Sequence, residues 1–81
     1  MTLTVQLFAA ARERAGTGSV EIQLAENATV ADLRSSLVEQ CPALTDIATH
    51  LHIAIGDEYV TDEIQLAASD RVACFPPVSG G

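Results

Sequence analysis

The segment Pro76-Pro77-Val78-Ser79-Gly80-Gly81 concentrates the chemistry this sequence offers. Two residues without side chains close it, so the group left for reaction is the α-carboxylate of Gly81. A Gly-Gly end is the slimmest peptide that can enter another protein's active site. Glycine also permits close backbone approach and whatever φ that site imposes. Pro76 and Pro77 stiffen the exit from the folded body, since each fixes its own φ and restricts the residue before it. That lowers the entropy lost when the segment threads into a partner. Extended, the six residues reach about 18 Å, enough to cross a subunit wall. Val78 is the candidate side-chain anchor in such a channel. A frayed tail without a role is the competing reading of the same residues.

Other arrangements of reactive residue types are incomplete. His50 and His52 are spaced to share one side of a strand, but no Cys, Asp or Glu is placed to complete a metal site with them. Ser79 has no His partner and is no triad nucleophile. Gly16-Thr17-Gly18 lacks the length and the following helix of a phosphate loop. Asp57-Glu58 and Asp62-Glu63 read as solvated carboxylates near turns. Cys41 and Cys74 are too far apart for a CxxC motif. Cys74 alternates with Val72 on a strand face and reads as a buried, inert thiol. The chain is therefore not expected to be an enzyme unaided, nor to bind a metal or cofactor.

The whole chain has 81 residues and a formal net charge of -7, with four Arg and no Lys. Nucleic acid and anionic lipid need clustered cations, so both are excluded as partners. A partner with a basic face would be steered towards it. No apolar run approaches the roughly 20 residues of a membrane span, and the N-terminus lacks the basic start of a signal peptide. A cytoplasmic protein is expected. A hydrophobic fraction of 48% supplies one core, with no room for a deep cleft.

The reactive end must be carried by a small body, residues 1–75, with 76–81 as an extended tail. Thr2 to Phe8 alternates, Leu3, Val5 and Leu7 on one face and Thr4, Gln6 and Phe8 on the other. Ser19 to Leu24 alternates with Val20, Ile22 and Leu24 inward. Ala9 to Gly18 between them reads as a wide hairpin loop with one helical turn. Thr29 caps a helix, with Asp32 three residues on as in a capping box. Its apolar stripe is Val30, Leu33, Leu37 and Val38, with Arg34 on the exposed side, and Cys41-Pro42 ends it. A long connection follows, with a short helix around Leu44 to Ala48. Leu51, Ile53 and Ile55 form a third strand, Gly56-Asp57 turns, and Glu58 to Val60 is a brief strand. Ala68-Ser69-Asp70 leads into a last strand from Arg71.

This order suits an α+β fold of the β-grasp type, a mixed sheet of four to five strands with one main helix on one face. First and last strands would lie adjacent and parallel at the centre. Phe8 and Phe75 would then meet at one end of the sheet, on the face away from the helix, where the tail leaves. Such a patch is a docking surface. Packing of both rings on the Ala9–Gly18 segment is the alternative.

Two stretches carry a family resemblance. One is Leu7-Phe8-Ala9, then Arg12-Glu13, then Gly16. The other runs from Asp70 through Arg71-Val72-Ala73-Cys74-Phe75 to Pro76-Pro77-Val78-Ser79-Gly80-Gly81. Together they resemble the small subunits of molybdopterin synthases, which are ubiquitin-like sulfur carriers. Gly56, Ala68-Ser69-Asp70 and Ala73-Cys74 depart from the family pattern at structural positions. The resemblance implies that an E1-like adenylyltransferase uses ATP to activate the Gly81 carboxylate. A sulfur donor of the desulfurase or rhodanese type then leaves Gly81 as a thiocarboxylate, with no cofactor bound beyond that covalent sulfur. The tail, Pro76 to Gly80 included, threads into the large synthase subunit, where the sulfur passes to cyclic pyranopterin monophosphate. Two small subunits would flank a dimer of large ones. Phe8, Tyr59 and Phe75 are the implied contacts with the large subunit. A carrier of the same fold for thiamine, cysteine or tRNA thiolation is an alternative, as is a ubiquitin-like protein modifier.

Overall fold

The computed structural model describes residues 1–77. In chain order these form β1 (Thr2–Leu7), α1 (Ala9–Ala15), β2 (Ser19–Gln23), α2 (Val30–Gln40), β3 (His52–Ile55), β4 (Glu58–Val60) and β5 (Val72–Phe75). One five-stranded sheet has the order β2-β1-β5-β3-β4. The central pair β1–β5 is parallel and the others are antiparallel. This is the mixed sheet expected from the sequence. It brings the C-terminal ends of the two central strands together.

Alternation in β1 translates directly into burial. Leu3, Val5 and Leu7 are 1% exposed or less, and Thr2, Thr4 and Gln6 are exposed. The buried side packs on α2 through Val30, Leu33 and Leu37, all fully buried. Ile22, Leu44, Leu51, Ile53, Val72 and Cys74 are among the other core residues. Val38, assigned to the apolar stripe from spacing, is only half-buried, because it lies beside the Val30–Leu33–Leu37 line rather than on it. Val20 is likewise half-buried, as suits the outermost strand.

The first N–H groups of α2, which no helix can satisfy through its own backbone, find partners in a neighbouring segment and in a capping side chain. The Val30 and Ala31 N–H groups donate to the carbonyls of Ile64 (2.9 Å) and Asp62 (3.0 Å). The Asp32 N–H donates to the Thr29 hydroxyl (3.3 Å), and the Thr29 N–H donates back to the Asp32 carboxylate (2.9 Å), closing the capping box. The 61–66 segment is thereby held against the helix, and its Leu66 seals the core, 2% exposed.

Four local expectations are corrected. Residues 9–15 form a two-turn helix rather than a loop with one turn. Alanine is the best helix former, Ala11 has no exposed surface, and Gly16 caps the end with a φ of 75° that favours glycine. The helix expected around Leu44 to Ala48 is replaced by two 3-10 turns on either side, Pro42–Leu44 and Ala48–His50. β5 starts at Val72, one residue later than expected. Arg34 is not on an open face: its side chain is only 20% exposed. Its guanidinium donates to Asp62 Oδ1 (2.8 Å) and to the Ala48 carbonyl (2.8 Å), tying α2 to both flanking segments.

Candidate functional site

The parallel β1–β5 register pairs Leu7 with Cys74, so the next residues, Phe8 and Phe75, are set side by side. Each is out of phase with a buried neighbour and therefore faces away from α2. The rings stack at 4.7 Å between centroids with 5° between planes. Phe8 is no longer in β1. It is the residue before α1, still extended (φ -125°, ψ 154°), and its N–H donates to the Cys74 carbonyl (3.2 Å). Ala9 then takes a φ of 51°. A left-handed alanine costs roughly 1–2 kcal/mol, and here it turns the chain from strand into helix immediately after Phe8.

The neighbouring strands extend the row. His52 on β3 pairs with Phe75, and Tyr59 on β4 pairs with Ala54. Tyr59 meets Phe75 edge-on, with centroids 6.0 Å apart and planes at 89°. His52 is tilted against Tyr59 at 5.7 Å. Four rings from β1's end, β5, β3 and β4 thus share one face. Tyr59 is 71% exposed and Phe8 40%. Exposed aromatic surface of this kind, beside polar strand residues, is a candidate interaction site. A shallow groove continues from Phe8 and Phe75 along β1 and β5, past Thr4 and Gln6, to Asp70 and Arg71.

The sequence-level docking candidates Phe8, Tyr59 and Phe75 are therefore brought together. The alternative, with the Phe8 and Phe75 rings packed on residues 9–18, is replaced by packing of the rings on one another. His52 is a member of this row that the sequence reading missed. Its i, i+2 spacing with His50 suggests a shared strand face, but His50 lies in the 3-10 turn Ala48–His50, outside the strand. Only the strand pairing reveals its place.

Pro76 and Pro77 follow the Phe75 ring directly; Pro76 is half-buried and Pro77 exposed. Val78, Ser79, Gly80 and Gly81, the other tail candidates, lie outside the described residues. Cys74 has no exposed surface, and burial pushes its thiol up to about 12, only partly offset by the Arg34 charge. It stays protonated and unreactive at neutral pH. Asp62 and Glu63 are solvent-exposed, as expected, and both also make polar contacts. Asp62 holds Arg34, and the Thr61 hydroxyl bonded to the Glu63 carboxylate, helped by the Glu63 backbone N–H, lowers that pKa. Among the described residues, no three His, Cys, Asp or Glu side chains converge to hold a metal ion. No helix among them is long and apolar enough to cross a membrane.

Comparison with known proteins bears on the fold and the family. The molybdopterin synthase sulfur carrier subunit of Chlamydomonas reinhardtii is 35% identical over 83 residues, covering 100% of both chains. The crystal structure of small archaeal modifier protein 1 from Haloferax volcanii superposes with a TM-score of 0.86 at 32% identity, covering 100% of each chain. A ubiquitin from Caldiarchaeum subterraneum has a TM-score of 0.67 at 17% identity, covering 100% of this chain and 98% of its own. That likeness carries the fold alone and identifies it as ubiquitin-like β-grasp. Residues 5–81 match the ThiS family, and the chain belongs to that family.

Proposed function

We propose that this chain is the sulfur-carrier subunit of a molybdopterin synthase and acts through the carboxylate of Gly81. The observation that carries the reading is the exposed Phe8–Phe75–Tyr59 row beside Pro76. A docking face stands where the segment leading to Gly80-Gly81 leaves the fold. The algal relative's function supports the choice of pathway.

In the proposed cycle, a Gly81 carboxylate oxygen attacks the α-phosphate of ATP in an E1-like adenylyltransferase, and pyrophosphate leaves. The acyl-adenylate is a far better electrophile than the carboxylate. The outer sulfur of a persulfide on a desulfurase or rhodanese-type donor then displaces AMP to give an acyl disulfide. A second thiol cleaves its S–S bond, forming a disulfide with the donor and releasing Gly81 as a thiocarboxylate, ionised and soft at neutral pH. The aromatic row docks on the large synthase subunit, and Pro76 to Gly80 carry the sulfur into its active site. There the thiocarboxylate sulfur attacks cyclic pyranopterin monophosphate, and hydrolysis of the resulting thioester leaves the sulfur on the pterin and returns Gly81 as a carboxylate. The chain's own part is binding, delivery and the reactive Gly81 terminus; the groups that catalyse each step belong to its partners.

Similarity to the archaeal modifier favours a second reading, in which activated Gly81 is joined to lysines of other proteins. Reconstitution with the E1-like enzyme, ATP, sulfide, the large subunit and cyclic pyranopterin monophosphate separates the two. ATP-dependent formation of molybdopterin is expected. Failure of that reaction, together with conjugates on lysines of added proteins, would replace the carrier reading by the modifier reading.

A further inference from the structure

We propose that the Gln40 carboxamide is an edge guard that keeps β2 from pairing with β2 of a second copy of this chain. β2 is the outermost strand on its side of the sheet. Its even-numbered side is occupied by β1: Leu24 N–H donates to the Met1 carbonyl and Leu7 N–H to the Gly18 carbonyl, each at 2.8 Å. Antiparallel pairing alternates, so the backbone groups of Ser19, Glu21 and Gln23 point outward. A row of this kind is a template for strand addition unless something covers it.

Gln40, the last residue of α2, occupies both outward backbone groups of Gln23. Its Oε1 accepts the Gln23 N–H (3.0 Å), and its Nε2 donates to the Gln23 carbonyl (3.0 Å). One carboxamide thus supplies the same donor and acceptor that a residue of an incoming strand would. At the other end of β2, the Thr17 hydroxyl donates to the Ser19 carbonyl (3.2 Å). Between them, Glu21 is left with an exposed carboxylate. A two-fold β2–β2 ladder centred on that residue would set two Glu21 side chains opposite each other, which is repulsive. The opposite edge, β4, has only three residues, too few to template a partner strand.

Amide hydrogen exchange and sedimentation test this together. In the wild-type protein, the Gln23 amide should exchange roughly fivefold or more slowly than that of Glu21, after correction for intrinsic rates, because only Gln23 is hydrogen-bonded outward. Q40A should erase that difference. Q40A/E21T, with both barriers removed, should sediment as a dimer at concentrations where the wild type is monomeric. Equal exchange at Gln23 and Glu21 in the wild type overturns the clasp and requires no variant to fold. A folded Q40A/E21T that stays monomeric, or a wild type already paired through β2, overturns its role as a guard.

Discussion

Phe75 stands at the junction of three functions: it stacks on Phe8, receives the edge of Tyr59 and passes the chain to Pro76. It is half-buried rather than core, so its removal should tell more on binding than on folding. Phe75→Ala is expected to cost about 1 kcal/mol of stability, the order of an aromatic pair. Loss of affinity for the large subunit should reach about 2 kcal/mol or more, as for a central interface aromatic. Calorimetric titration and urea unfolding of the same variant compare the two; a larger loss of stability than of affinity would make Phe75 a core residue. The thiols give a second prediction at this scale. With its pKa raised from 9.0 to about 12 by burial, Cys74 favours the folded state in its neutral form. That contribution is complete below pH 9 and lost as pH rises through 9 towards 12. At pH 8 an alkylating reagent should label only the half-buried Cys41 in the native protein, and both thiols after unfolding. Labelling of Cys74 without unfolding would contradict the packing described.

At the scale of elements, α2 depends on the reciprocal Thr29–Asp32 bonds and on carbonyls from the 61–66 segment. Thr29→Ala should cost about 1 kcal/mol, within the usual range for a lost N-cap, with no change in fold. Thermal unfolding checks it, and an unchanged midpoint would show that the segment alone satisfies the helix start. This cap was legible because Thr29 and Asp32 are neighbours in sequence. β1 was legible for the same kind of reason: its strict alternation leaves one register that buries Leu3, Val5 and Leu7. α1 was misread because its Ala-rich run shows little contrast between faces, and only Ala11 reaches the core. Arg34 was misread because its partners, Asp62 and the Ala48 carbonyl, are brought to it by long-range folding. The place of His52 in the aromatic row was missed for that reason too, since its neighbours Tyr59 and Phe75 lie on β4 and β5. The Phe8–Phe75 meeting could be read ahead only because the element order implied a parallel β1–β5 pair.

For the whole molecule, the sheet packs one face into the core and leaves the aromatic row on the other, and its central strands end where the chain passes to Pro76. This division predicts that body and tail can be separated by mutation. Adding one residue after Gly81, or replacing Gly81 by a bulky residue, should abolish sulfur transfer and leave unfolding and large-subunit binding nearly unchanged. Transfer at the wild-type rate would remove Gly81 from the mechanism. The central claim is that Gly81 carries sulfur, and the intact mass of the protein isolated from its host without reducing or alkylating treatment tests it most directly. A shift matching one oxygen replaced by sulfur, localised to Gly81, is the expected result. An unmodified mass that persists after incubation with ATP, sulfide and the host's E1-like enzyme would contradict it.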